Sequence, residues 1–328
     1  MNSRHYSFAG AFADEITGYL KLRSSQGHQY LRERHYFVSL DRYLLMENAN
    51  KKELSAPVVE GWLRSLSSDM SVNTKIVYIS HYSQFAKYLH TLGLEAFIPE
   101  RPIDDKSYTP YVFSEVEMGR LFTSADNLSA SHPKSRFVKL QFPTLLRILY
   151  GCGLRLDEAL RLQASDVDVK AAVMMIRNAK GNKDRLVPMD GSLADILGRY
   201  ILLSRKNNDP QDALLFSTCK GEQHSITTMR HWFNRTLEAA GIEKLDLPRY
   251  SRNICLHCLR HTMAVHSFRK QDLAGIDMYS AAPLLSTYLG HSDIYGTERY
   301  LHMTAENSAD IIDKTTEYSS GLFPEVPQ

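Results

Sequence analysis

The sequence predicts a mainly α-helical protein of two domains, with one small β-hairpin or sheet in the second. Three observations predict it. Apolar residues recur at intervals of three and four through the first hundred residues. The stretch "IPERPIDDKSYTPYV", residues 98–112, then breaks that period with prolines and charges. Further on, "AAVMMIRNAKGNKDRLVPM", residues 171–189, reads as a strand, a turn rich in Gly, Asn and Lys, and a second strand ending at Pro188. A chain of 328 residues matches two domains at roughly 100–200 residues each.

Taken in order, "FAGAFADEITGYLKLRSS" and "YLRERHYFVSLDRYLLMEN" carry the helical period. "APVVEGWLRSLSS" follows Ser55, an N-cap residue by type. In "VNTKIVYISHYSQFAKYLHTLG", Ile76, Ile79, Phe85, Leu89 and Leu92 form an apolar stripe, and Gly93 sits where a C′ glycine ends a helix. These segments make residues 1–105 a four- or five-helix bundle. Residues 106–112 read as a linker, and residues 113–328 as the second domain with its tail. Ser114 and Glu117 have capping-box spacing at the start of that domain. "TLLRILYGCG" reads as a buried helix with glycines at its end, and "RLDEALRLQASDVDV" as a helix and turn. From about residue 192 the chain is again mostly helical.

Composition excludes several classes. Hydrophobic residues make up 43% and charged residues 23%, and the mean hydropathy is −0.32. No run approaches the ~20 apolar residues of a membrane span, and the N-terminus lacks the charged and apolar regions of a secretory signal. The four cysteines, Cys152, Cys219, Cys255 and Cys258, are too sparse for a disulfide framework, and a cytoplasmic location is expected. A net charge of +2 leaves room for a local phosphate-binding patch.

Four constellations carry chemistry. In "GCGLRLDEALRL", Arg155 follows two glycines and opens a helix, a setting suited to an oxyanion; Glu158, one turn on, could hold it. In isolation the pair reads equally as a surface ion pair of little energetic consequence. On the hairpin tip, Lys180, Lys183 and Arg185 crowd a tight turn, where a lysine can reach a ligand held elsewhere or simply be solvated. In "CLHCLRHTMAVH", His257, Arg260 and His261 fall on one helical face, and an arginine can bind two phosphate oxygens in parallel. His257 and His261 also have the spacing of a zinc-protease helix, but Cys258 stands where that chemistry needs Glu. Cys255 and Cys258 have redox or zinc spacing with no second pair to complete a metal site. Finally, "STYLGHSDIYGTERYLHM", residues 286–303, places His291 on a turn and Tyr300 on a helix capped near Thr297. A histidine there can donate to a phosphate oxygen, and a tyrosine can attack the phosphorus.

In this order the pieces resemble the tyrosine recombinase (phage integrase) family. "GLRLDEALRLQASDVDV", "AKGNKDRLVPM", "HCLRHT" and "LGHSDIYGTERYLH" carry the resemblance, over roughly residues 113–304. Over residues 1–105 it is one of size and helicity, which fit that family's core-binding domain. The resemblance implies a two-domain clamp around double-stranded DNA, with a helical core-binding domain and a tyrosine recombinase catalytic domain. It implies site-specific recombination, in which strands are cut and rejoined through a 3′-phosphotyrosine intermediate. By position, Tyr300 would be the nucleophile, while Tyr288 and Tyr295 are structural. Arg155, Arg260 and His291 would hold the scissile phosphate. His257 would sit near the phenol and move its proton, and Lys180 would protonate the leaving 5′-oxygen. Glu158 would support Arg155. No metal and no cofactor are implied.

The implied working unit is a homo-tetramer on two DNA recombination sites, with accessory recombination proteins an open question. The size of the first half points to a simple Xer-like or transposon-type member, and whether it serves a mobile element, phage or plasmid, or resolves chromosome dimers, is not legible. The residues that read DNA bases are not legible. Two other readings stay open: a catalytically silent, sequence-specific DNA-binding protein, and a metal-dependent hydrolase built on His257 and His261. The segment between Arg260 and His291 also looks several residues longer than the family pattern around "DLAGIDMYSAAP".

Overall fold

The computed structural model describes residues 6–26, 30–47, 52–66, 70–103, 109–129, 135–177, 184–204, 210, 212–247, 253–291 and 295–306. The chain forms two compact units, one built on residues up to 108 and one on residues from 109 onward, apart from 247–252.

Among the described residues the first unit holds four helices: α1 (Ala13–Ser25), α2 (Tyr30–Met46), α3 (Ala56–Ser65) and α4 (Val72–Thr91). Their apolar faces meet in one core that includes Phe12, Ile16, Phe37, Leu40, Trp62, Tyr82, Phe85 and Leu89. Within α4 the stripe expected from the sequence is buried at Ile76, Ile79, Phe85 and Leu89. Leu92 departs from it and is 51% exposed, because the helix has already ended at Thr91. There Gly93 takes φ +74°, its N–H donates to the His90 carbonyl and the Leu94 N–H donates to the Leu89 carbonyl. This is the Schellman arrangement that only a residue tolerant of the left-handed region makes without strain. Ser55 does precede α3, but its side chain makes no capping bond. Ahead of α1, buried Asp41 accepts from the Tyr6 hydroxyl at 2.8 Å and from the Ala9 and Gly10 N–H groups. The segment entering α1 is thereby tied to α2.

The second unit opens on an extended segment that carries Tyr111 and Phe113. Phe113 is fully buried and its N–H donates to Thr262 Oγ1 at 3.0 Å, while Tyr111 packs on the same core. Helix α5 (Glu115–Asp126) starts with the full capping box: Glu117 N–H donates to Ser114 Oγ, and Ser114 N–H to Glu117 Oε2 at 2.8 Å. We expect Ser114→Ala to cost about 1 kcal/mol, seen as a lower urea midpoint with an unchanged slope.

Helix α6 (Ser135–Gly151) supplies the central apolar face through Phe142, Leu145, Leu146 and Leu149. The one-turn α7 (Leu156–Leu160) follows. The expected hairpin is part of a three-stranded antiparallel sheet: β1 (Val167–Asp168), β2 (Val173–Ile176) and β3 (Arg185–Pro188), in that order. The added strand pairs Val167 with Met174; it is too short to leave an alternating pattern in the sequence. In the β2–β3 register Met174 faces Val187 and Ile176 faces Arg185, and Met174, Ile176 and Val187 enter the core.

Helices α8 (Gly191–Ser204), α9 (Ile226–Ala239), α10 (His257–Leu273), α11 (Met278–Leu289) and α12 (Tyr295–Glu306) complete the unit. The last three share a second apolar cluster of Ala264, Val265, Phe268, Ala282, Leu285, Leu289, Tyr300 and Leu301. The stretch that looked long is taken up by the extension of α10 to Leu273, a turn at Gly275 with φ +73°, and the Asp277 cap of α11. No helix among the described residues is long and apolar enough to cross a membrane.

Candidate active site

The site is organised by the C-terminal end of α11. The last carbonyls of a helix have no intrahelical donor and carry its negative dipole end. Here three successive carbonyls each take a guanidinium. Arg185 Nε donates to the Tyr288 carbonyl at 3.1 Å, Arg260 Nη2 to Leu289 at 2.8 Å and Arg155 Nη2 to Gly290 at 3.3 Å. Three arginines from α10, the start of α7 and β3 therefore converge on one turn.

Gly290 makes that turn. It takes φ +67°, its N–H donates to the Thr287 carbonyl and the His291 N–H donates to the Ser286 carbonyl. A Cβ built on Gly290 would lie 2.9 Å from Arg185 Nη1. We expect Gly290→Ala to cost about 1–2 kcal/mol from the left-handed backbone alone. It should also displace Arg185, so the urea midpoint falls by more than the backbone cost alone.

Arg155 and Arg185 share one carboxylate. Glu158 Oε1 accepts from Arg155 Nη1 at 2.8 Å and Oε2 accepts from Arg185 Nη2 at 2.9 Å; Oε2 also takes the Arg155 N–H at 3.0 Å. The Glu158 side chain is 2% exposed, so this is not a solvated surface pair. Burial alone would raise its pKa, but the Arg185 hydrogen bond, the Arg155 N–H, the Arg185 charge and the Arg155 guanidinium hydrogen bond bring it down to about 2.

Arg260 is buried at 1% exposure, its Nη1 donating to the Gly153 carbonyl at 2.7 Å. Loss of water, then the nearby charge of Arg155, lower its pKa to about 10, which leaves it charged at neutral pH. Gly153 takes φ +59°, and a Cβ there would meet Leu289 Cδ2 at 2.7 Å. The glycine lets its carbonyl come close beneath Arg260.

Tyr300 is 3% exposed on α12, and its hydroxyl lies 2.9 Å from His261 Nδ1. Burial raises the phenol pKa, while the charges of Arg260, Arg299 and Arg155 oppose the rise. Burial, and then the fields of His257, Arg260, Arg299 and His291, lower His261 to about 3, so its imidazole is neutral. In the tautomer that leaves Nδ1 bare, that imidazole accepts the phenolic hydrogen. The sequence reading put His257 near the phenol. In the structure His261 meets the phenol, and the His257 ring packs edge-on against His261 at 4.6 Å between centroids. The reason is helical geometry: His261 lies one turn further along α10, where that helix packs on α12.

His291 stacks on Tyr300 at 6.1 Å between centroids, and its Nδ1 pairs with Thr297 Oγ1 at 2.7 Å. Thr297 is fully buried inside α12, which starts at Tyr295, so it orients His291 rather than capping the helix. Tyr288 lies on α11 with its hydroxyl donating to the Pro188 carbonyl at 3.0 Å. Lys180 and Lys183 lie outside the described residues, as does the Tyr295 side chain.

The structure thus brings Arg155, Glu158, His257, Arg260, His291 and Tyr300 to one place. It adds two residues to which the sequence reading gave no role at the site. The sequence reading gave His261 as a face-mate of Arg260 and as half of a zinc-spaced pair with His257, with no role at the phenol. Arg185 was read as part of a basic tip; it is the first residue of β3 and meets Glu158 across 27 positions of chain, a distance that leaves no local signal.

A buried phenol ringed by arginines, at the turn between two helices of a helical domain with one small sheet, defines a tyrosine recombinase catalytic domain. Residues 113–307 match the phage integrase family, and the chain belongs to it. It is 28% identical over 272 residues to a tyrosine recombinase of Pseudothermotoga lettingae, covering 83% of this chain and 86% of that one. It is 30% identical over 232 residues to tyrosine recombinase XerD of Pseudomonas putida, covering 69% and 70%. Among solved structures, the Tn1549 transposon integrase in complex with a circular intermediate DNA is similar at a TM-score of 0.66 and 17% identity, covering 93% of this chain and 99% of that chain.

Proposed function

We propose that this chain is a site-specific recombinase that cuts and rejoins double-stranded DNA through a 3′-phosphotyrosine on Tyr300. The observation that carries the reading is the convergence of Arg260, Arg155 and His291 around one buried tyrosine hydroxyl. Tyr300 attacks the phosphorus and releases a 5′-hydroxyl; the hydroxyl of a partner strand later attacks the link and frees the tyrosine. The phosphodiester energy stays in the covalent intermediate.

The transition state gathers negative charge on the non-bridging oxygens. Arg155 and Arg260 hold these oxygens and His291 donates to one of them, each such donor contributing about 10²–10³ in rate. The neutral His261, backed by His257, takes the phenolic proton. Lys180 protonates the leaving 5′-oxygen. Arg185 and Glu158 hold Arg155 in place. Phosphate contacts from both units bind the duplex, so affinity falls steeply with salt. The working unit is a tetramer on two DNA sites. Several solved structures of this fold are complexes with DNA, among them the Tn1549 integrase and XerH on its difH substrate.

The test is covalent capture in EDTA. The full chain is offered a duplex selected by binding from a random pool, with a nick placed to trap the cleaved strand. A protein–DNA adduct that survives denaturation supports the proposal. Specific binding with no adduct identifies a silent DNA-binding protein, and cleavage abolished by the chelator identifies a metal-dependent hydrolase. Among the described residues, no third His, Cys, Asp or Glu joins His257 and His261.

A further inference from the structure

The mechanism leaves the Cys255–Cys258 pair unused, although it borders the site. Cys258 lies on the first turn of α10 and is fully buried; Cys255 stands just ahead of that turn and is half-buried. Their sulfurs are 3.9 Å apart and hydrogen-bonded, and the Cys255 N–H reaches Cys258 Sγ at 3.4 Å. His257 sits between them and Arg260 follows two residues later.

We propose that Cys255 and Cys258 are a redox modification site, a dithiol that closes to an intramolecular disulfide and so lowers strand cleavage reversibly. The consequence for cleavage rests on the recombinase reading; the dithiol does not. The two sulfurs have the roles the chemistry needs. Cys255 is the accessible one. The Cys258 S–H, the His257 and Cys258 N–H groups and the nearby Arg230 charge all favour its thiolate, against the opposing effect of burial. Cys258, hydrogen-bonded to it and buried, is held as a thiol and serves as the resolving group. No other cysteine is paired this way: Cys152 is buried and Cys219 is exposed.

With hydrogen peroxide as oxidant, the Cys255 thiolate attacks one oxygen, the O–O bond breaks and hydroxide leaves, giving a sulfenic acid. Cys258 sulfur then attacks that sulfur and water leaves. Two thiols lose two electrons and two protons, and one peroxide becomes two waters. A dithiol reductant reverses the bond by exchange. A disulfide needs sulfurs at about 2.05 Å, so closure draws the first turn of α10 together around His257. A misplacement of about 1 Å in a reacting constellation costs on the order of 10²-fold in rate, and a loss of that size is expected here.

The test treats the full chain with graded hydrogen peroxide, blocks remaining thiols with N-ethylmaleimide, and maps disulfides by peptide mass. The expected product links residues 255 and 258, and dithiothreitol reopens it. Cys255→Ser and Cys258→Ala abolish it, and Cys219→Ser retains it. On the trapping duplex, adduct formation by the oxidised chain falls about 10²-fold and returns on reduction, while Cys255→Ser is insensitive to peroxide. Absence of the 255–258 link, a link only between chains, or a link with unchanged cleavage overturns the proposal. A reduced chain that forms no adduct overturns the recombinase reading instead, and the disulfide map then decides the dithiol by itself.

Discussion

Tyr300→Phe is expected to bind the selected duplex within about threefold of wild type and to form no covalent adduct at all. The substitution keeps the ring and its packing against Leu301, Leu285 and the His291 face, and removes only the hydroxyl proposed as nucleophile. It leaves His261 Nδ1 without its 2.9 Å partner in a buried place, a cost of about 1–3 kcal/mol. That cost is small enough for the fold to survive, which the circular dichroism melt reports alongside the adduct assay. Arg260 would still engage phosphate, so affinity and cleavage separate cleanly. An adduct that persists at wild-type yield moves the nucleophile to another residue, with Tyr288 and Tyr295 first in line.

The second large effect lies in stability. Glu158→Ala removes the one carboxylate shared by Arg155 and Arg185, whose side chains are 26% and 13% exposed. Breaking a buried charge pair by deleting one partner costs about 3–5 kcal/mol, and partial rehydration of the two arginines places this case toward the lower figure. The same carboxylate makes the wild type acid-sensitive. Its pKa falls from the ordinary 4.5 to about 2 on folding, so its contribution is complete above the unfolded value and is lost as pH drops toward 2. The shift corresponds to about 3 kcal/mol lost between roughly pH 6 and pH 2. Urea titrations across that range should show the loss in wild type and a much flatter profile in Glu158→Gln. An identical acid slope in the variant would assign the sensitivity to other groups.

Much of the site was legible because its pieces are local. Gly290 followed by His291 is a short-range statement: a left-handed residue ends α11 and sets the next side chain at its tip. Ser114 with Glu117, Gly93 after α4, and the two paired strands within 171–189 are legible for the same reason, since each depends on a few neighbouring residues. Short-range rules also misjudge ends. Leu92 continued an apolar period beyond the point where the helix stops, and β1 is too short to show any period. Ser55 had the right identity for a cap and makes no capping bond.

The amino-acid order by itself determined the mainly helical class and the resemblance to the recombinase family, because those features reside in residue type and near spacing. Only the tertiary structure decided that His261 meets the phenol, that Arg185 shares Glu158 with Arg155, and that three guanidinium groups end on consecutive carbonyls of α11. These contacts join residues up to 135 positions apart. They depend on how α10, α11 and α12 pack and on where buried charges find partners, a choice set by desolvation and geometry across the whole domain.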